Sequence, residues 1–151
     1  VATTLSEHLG WIAAEAEEFH PAANIERMTA GTPLCDDDRW PWLEAIRSWM
    51  TTQALHGRST VIACSALKRS YRDLLSGAEG RVQFVHLDGA PDVLAERMAS
   101  RRGHFMPLSL LPSQLADLEP LAQDEDGLTV DSLGAPAQIS ARIMQDLLTD
   151  P

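Results

Sequence analysis

Apolar residues at Val1, Leu5 and Leu9, with polar residues between them, make one stripe on a helix, and Gly10 is placed to cap its end. Residue 1 already lies in that stripe with no N-cap before it, so the pattern predicts that something stands in front of the helix. Trp11 to Ala14 reads as a short strand, after which the chain turns polar. Pro21 then sits where a helix start accepts it, and a modest helix over 22–30 ends at Gly31. GTPLCDDDRWPW reads as a loop, with Asp38 as N-cap and Pro41 as the opening residue of the next helix. Trp42, Leu43, Ile46, Trp49, Met50 and Leu55 then follow helical spacing up to His56-Gly57.

STVIACS is a run of β-branched and small apolar residues, the composition of a strand buried on both faces of a parallel sheet. Leu67 to Leu75 form a helix closed by Gly77, RVQFVHLDG forms a strand, and Pro91 to Arg101 form a helix opened by proline. Residues 103–123 hold Pro107, Pro112 and Pro120 and one short helical stretch, Ser113 to Leu118. LTVD is a last strand and Ile139 to Leu148 a last helix. Strands alternating with helices predict a single α/β domain with a mostly parallel sheet and right-handed crossovers.

Composition sharpens this picture. With 151 residues, 44% of them hydrophobic, the chain can build one real core. No apolar run approaches the roughly 20 residues that span a bilayer, and nothing resembles a signal peptide, so no membrane partner is expected and a cytoplasmic location is. Cys35 and Cys64 lack metal-ligand spacing and are too few for a disulfide framework, so both read as thiols and no metal is expected on them. A net charge of −10 argues against nucleic acid as a partner. Arg58, Lys68, Arg69, Arg72, Arg81, Arg97, Arg101 and Arg102 nevertheless crowd between residues 58 and 102 beside only five acids, a distribution suited to a small anionic ligand.

Two loops follow predicted strands, where open α/β sheets hold their ligands, and a third candidate stretch ends a helix. EAEEFHP offers Glu15, Glu17 and Glu18, and a carboxylate there can take a proton from a hydroxyl, although acids also favour a helix entrance. ACSALKRSYRD runs from a strand into a helix start with Lys68 and Arg72 on one face, where two cations beside free N–H groups suit an anion. RMASRRGHFMP places Arg97, Arg101 and Arg102 before a glycine break into the proline-rich segment. Mobile arginine-bearing segments of that kind cover phosphates, and a solvated helix end is the plainer reading.

EFHPAANIERMTAGTPLCDDDRWPWL, VIACSALKRSYRDLL, VHLDG, ERMASRRGHFMP and LLPSQLADLEPL, in that order, resemble the gluconate kinases, small ATP-dependent sugar-acid kinases of the nucleoside-monophosphate-kinase-like group. The resemblance runs from about residue 1 to 148. It implies transfer of the ATP γ-phosphoryl group, with Mg²⁺, to the 6-hydroxyl of D-gluconate. It also implies a three-layer fold of the P-loop kinase type, helices on both faces of a parallel sheet, with a lid at about 102–121. By matched position, Glu17 orients or deprotonates the attacking hydroxyl, His20 lines the sugar-acid pocket and Arg39 takes the carboxylate. Ser65, Lys68 and Arg72 flank the same pocket. Arg97, Arg101 and Arg102 are the lid-side cations, with Arg101 catalytic; His104 and Phe105 shape the closed lid, and the loop from Asp131 to Pro136 packs on adenine.

In that family a strand and a G-x-x-x-x-G-K-[ST] loop precede the first helix, and no such loop occurs in these 151 residues. The family strand order 2-3-1-4-5 makes that strand the central one, so the sheet is expected to lack its first, central strand. Its removal would leave buried backbone groups unpaired at about 1–3 kcal/mol each. The expectation is therefore that an N-terminal segment is missing and that this chain alone has no kinase activity. Two further function classes stay open: a non-catalytic sugar-acid-binding module, and a related kinase with another acceptor. Trp40, Trp42 and Trp49 are apolar enough to suggest a homodimer face.

Overall fold

The computed structural model describes residues 1–102 and 106–149. Its first helix, α1 (Ala2–Leu9), ends as its pattern predicts: Gly10 adopts φ 67°, and its N–H bonds the Ser6 carbonyl. β1 (Ile12–Glu15) passes through a 3₁₀ turn (Ala16–Phe19) to α2 (Ala22–Thr29) and α3 (Asp36–Leu55). β2 (Thr60–Ala63), α4 (Arg69–Ser76), β3 (Phe84–Asp88) and α5 (Pro91–Ser100) follow. A second 3₁₀ turn (Leu108–Leu110) runs into α6 (Leu111–Asp117), and β4 (Gly127–Asp131) and α7 (Pro136–Thr149) complete the described chain.

The strands form two parallel pairs. β1 lies on β2 with Ile12 opposite Thr60 and Glu15 opposite Ala63. β3 lies on β4 with Phe84 opposite Gly127 and Asp88 opposite Asp131. Gly127 has a steric reason to be glycine, because a Cβ there would collide with the Phe84 carbonyl. Among the described residues, β2 and β3 share no ladder.

Both pairs nevertheless face the same two cores. Val61 of β2, Val85 and Leu87 of β3 and Leu128 of β4 pack on Leu5, Val130, Ile139 and Ile143, so α1 and α7 cover that side. Ile62 of β2 and Phe84 of β3 turn the opposite way, onto Ala16, Trp42, Leu43, Ile46, Tyr71 and Leu75 of the β1 turn, α3 and α4. This alternation, one face per residue parity, is what a strand layer between two helical layers requires. The fold is α/β with parallel strands and helices on both faces. No helix among the described residues is long and apolar enough to cross a membrane.

Two expectations change. α3 begins at Asp36 rather than near Trp40, because the Asp38 carboxylate reaches back to accept the Cys35 N–H at 3.0 Å, which makes Asp38 the third helical residue instead of the cap. Asp36, Asp37 and Asp38 then occupy the positive end of the helix dipole, and Pro41 falls inside the helix, where it forgoes one backbone bond. The tryptophan stripe also turns partly inward. Trp42 is buried and stacks on His20, Trp40 meets the Tyr71 ring edge-on, and Trp49 meets Phe19.

Candidate active site

Loops after β1 and β2 carry the first group of candidates. The 3₁₀ turn after β1 sets Glu17 and, at its end, His20 beside the N-terminal half of α3, and the segment after β2 brings up Ser65. Glu17, His20, Arg39 and Ser65, far apart in sequence, line one pocket together with Trp42. Met28 and Leu34 close one wall, and Met106, Leu110 and Gln114 close the top from the segment that leads into and forms α6. The enclosed space is about 10 Å³, room for about one water. It is shut by apolar contact, since Met28, Leu34 and Leu110 are buried together with Met106 packed against them.

Arg39, Trp42, Asn24 and His20 are each held by a neighbour in this wall. Arg39 is 4% exposed, and its Nη1 donates to the Tyr71 hydroxyl at 2.9 Å and to Asp117 Oδ2 at 3.1 Å. Trp42 Nε1 donates to the Ala16 carbonyl at 2.6 Å, which fixes the indole under the His20 ring, 4.2 Å away centroid to centroid. Asn24 Nδ2 lies 3.3 Å from His20 Nδ1 and donates to the Asp38 carbonyl. Burial, and secondarily the charge of Arg39, lower the His20 pKa to about 4, so its imidazole is neutral near pH 7. It therefore meets a ligand as a neutral hydrogen-bonding group. Burial, helped by the Glu17 carboxylate, pushes the Cys64 thiol up to about 12 and leaves it inert.

A second network lies just behind. Asp36 accepts hydrogen bonds from the Tyr71 hydroxyl and from Lys68 Nζ, the latter at 3.0 Å. These bonds hold the Asp36 carboxyl below the usual range, and the same carboxylate raises Lys68. Lys68 is thus tied to α3, and it is not among the residues that line the pocket. Arg72 departs further from expectation. It is 4% exposed, forms a two-point pair with Glu125 and donates to the carbonyls of Ala66, Leu67, Glu119 and Pro120. A guanidinium so committed braces the loop after β2 against the segment after α6; it has no face turned to the pocket. Tyr71 and Asp117 carry no role in the sequence reading, and Asp36 figures there only in the DDD run at the start of α3. Tyr71 was within reach, because it stands one turn from Lys68 in KRSYRD.

Of the remaining candidates, Arg97 and Pro136 lie at the ends of β3 and β4. Asp88, Gly89, Ala90, Asp131 and Leu133 line an open cleft of about 320 Å³. Arg97 reaches from α5 to the Ser132 carbonyl at 2.6 Å, which brings it to the loop between β4 and Pro136, the first residue of α7. Ser132 Oγ, beside Gly89, is buried with no hydrogen-bond partner in the structure. Arg101 and Arg102 are exposed at the end of α5. His104 lies outside the described residues. Among the described residues no three His, Cys, Asp or Glu side chains converge to hold a metal ion, and the 151 residues contain no G-x-x-x-x-G-K-[ST] sequence. What the first pocket offers is a guanidinium, a carboxylate, an imidazole and a hydroxyl together, groups suited to a small polar anion.

No family model matches the chain. Over 130 residues it is 49% identical to the gluconokinase of Gluconobacter oxydans, covering 86% of this chain and 73% of that protein. Against the thermosensitive gluconokinase of Escherichia coli it is 38% identical over 135 residues, 89% of this chain and 72% of the relative. An unliganded crystal structure of a sugar kinase from Janibacter sp. superposes with a TM-score of 0.92 at 47% identity, covering 99% of this chain and 87% of that one. A gluconokinase structure from Sinorhizobium meliloti gives 0.81 at 42% identity, with 97% and 86% covered. With such identity spread over most of both partners, and the predicted acceptor residues Glu17, His20, Arg39 and Ser65 on one pocket, the chain belongs to the gluconokinase family.

Proposed function

We propose that the protein phosphorylates D-gluconate on its 6-hydroxyl with ATP as donor, giving 6-phosphogluconate in the cytoplasm. The observation that carries this reading is the buried Arg39 guanidinium in one pocket with a carboxylate, a neutral imidazole and a serine hydroxyl. A guanidinium suits the carboxylate of an aldonate. His20 and Ser65 meet the sugar hydroxyls, and Glu17 orients the 6-hydroxyl and accepts its proton. As the hydroxyl oxygen bonds to the γ-phosphorus, the bond from that phosphorus to the β–γ bridging oxygen breaks, leaving ADP. Lys68 and Arg72 act from behind the pocket, through Asp36 and the loop after β2.

The nucleotide belongs on this reading at the ends of β3 and β4, with Arg97 holding the loop that leads to Pro136. Arg101, Arg102 and His104 belong to a lid, about 102–121, that closes over the phosphates. The triphosphate and its Mg²⁺ still need a backbone cradle. Supporting its place is the missing ladder between β2 and β3: a central strand ending in a phosphate-binding loop, supplied from outside these residues, fits between them. The 151 residues alone are then inactive, and a sugar-acid-binding module is the second reading for them.

Calorimetric titration of the chain with D-gluconate and D-glucose, beside a coupled assay for 6-phosphogluconate, tests both readings. Heat with the acid alone is expected, and turnover only once the strand and loop are present. Equal heat with both sugars would remove Arg39 from the carboxylate. ATP-dependent turnover by the 151 residues would remove the missing-strand account.

A further inference from the structure

The pairing of Arg39 with Asp117 joins two parts of the molecule that a substrate must part. Arg39 belongs to α3 and its side chain is 5% exposed, while Asp117 ends α6, which lies over the pocket, and its side chain is 33% exposed. A guanidinium this buried is costly unless a negative charge compensates it. Tyr71, its other partner, is a neutral hydroxyl that itself donates to Asp36, so Asp117 is the carboxylate that bonds Arg39 directly. The pocket has room for about one water and not for a six-carbon acid, so entry requires the α6 side to give way.

We propose that Asp117 is a positioning residue whose carboxylate stands in for that of the substrate on Arg39 and is exchanged for it on binding. This deepens the acceptor-site reading above and rests on it. The exchange conserves charge: Arg39 is compensated before and after, and Asp117, already a third exposed, moves to water at little cost. A neutral sugar brings no carboxylate, so it leaves the Arg39–Asp117 pair, and α6 with it, in place. The acid therefore unlocks its own entrance, and its measured affinity is reduced by the fraction of molecules in which Asp117 holds the guanidinium.

The test is titration of D-gluconate and D-glucose into the wild-type chain, Asp117→Asn, Asp117→Glu and Arg39→Gln, with melts in the absence of ligand. Asp117→Asn is expected to melt lower than wild type and yet bind gluconate about five- to tenfold more tightly, the competitor having gone. Asp117→Glu, which keeps the charge, stays within about twofold of wild type on the same argument. In the wild-type protein the carboxyl-carbon resonance of Asp117 shifts with saturating gluconate and stays still with glucose. A structural ion pair would instead give a lower melt with equal or weaker gluconate binding, which overturns the exchange while the acceptor site stands. So does an Asp117 resonance unmoved at saturation, a measurement that needs no variant to fold. If Arg39→Gln binds gluconate like wild type, it is the acceptor-site reading that falls, and the exchange with it.

Discussion

The two clefts at the strand ends are built on opposite plans. The one after β1 and β2 is closed, with its guanidinium answered from within, Arg39 by Asp117, and the cations behind it paired too, Lys68 with Asp36 and Arg72 with Glu125. The one after β3 and β4 is open, lined by Asp88 and Asp131, and has a buried hydroxyl, Ser132, with no partner. A closed, internally compensated pocket keeps its shape without a ligand, and here it holds the groups that would recognise one particular acid. An open cleft beside an unpartnered hydroxyl takes its final form from something else, and on the proposed function that is the nucleotide and the phosphate loop. On the proposed function the contrast separates acceptor recognition, in the closed pocket, from the grip on the phosphoryl group, at the open cleft.

The sharpest way to break the contrast is to unbrace the closed side. Arg72 and Glu125 are 4% and 5% exposed in their side chains, and Glu125→Ala leaves a buried guanidinium without its charge partner. A loss of about 3–5 kcal/mol is expected. For a domain this size that means a melting temperature lower by about 6–20 °C. A change of under a degree in a thermal melt would show that the brace is ornamental.

The next largest effect belongs to the open side. In a protein that carries the phosphate loop, Arg101→Ala should lower kcat by about 10²-fold or more while moving the gluconate KM much less. A lid arginine meets charge that develops only in the transition state. Steady-state kinetics decide it: an intact kcat with a large KM effect would transfer Arg101 to the acceptor pocket.

A smaller effect is set by pH. The His20 pKa is about 4 in the folded protein against 6.5 for a free imidazole, so between those values the unfolded chain binds more protons. Stability is therefore full above about pH 6.5 and declines as pH falls toward 4, where the decline from this residue ends. His20 is only partly buried, so the share due to it is modest, on the order of 4 °C in melting temperature. Imidazole resonances followed by NMR should titrate near 4, and Arg39→Gln should raise that value without restoring 6.5, because burial is the larger cause. A His20 titrating at 6.5 would mean that the pocket is open to water.

The smallest expected change is a gain. Ser132→Ala removes a buried hydroxyl that has no partner, so stability without nucleotide should rise by about 1 kcal/mol. A melt showing a loss of that size would reveal a partner for Ser132 and make the open cleft less open than it looks.

Much of the fold was legible because the signals were local. Gly10, Pro91 and the runs STVIACS and LTVD marked the ends and types of their elements to within a few residues. The start of α3 was not, because two rules competed for Asp38, and its bond to Cys35 favoured an earlier start over the proline signal at Pro41. For the tryptophans, helical spacing reveals a stripe but not the rings of the same chain that each of them meets. In the pocket, Glu17, His20, Arg39 and Ser65 could be named from matched motifs. The partners Asp117 and Glu125 could not, because their roles depend on contacts 78 and 53 residues away that no pattern along the chain encodes.

The split between the two strand pairs also bears on how this chain behaves in concentrated solution. Strands that end their ladders early offer rows of N–H and C=O groups to any extended peptide of suitable length, and sheet proteins ordinarily blunt such edges with charge, proline or a covering loop. β2 and β3 are made of Thr60-Val-Ile-Ala63 and Phe84-Val-His-Leu-Asp88, with only one formal charge between them, at Asp88. They are sticky by composition as well as by geometry. Copies of the chain should therefore associate through these edges as concentration rises, and a short peptide of strand-forming sequence added in excess should suppress that association.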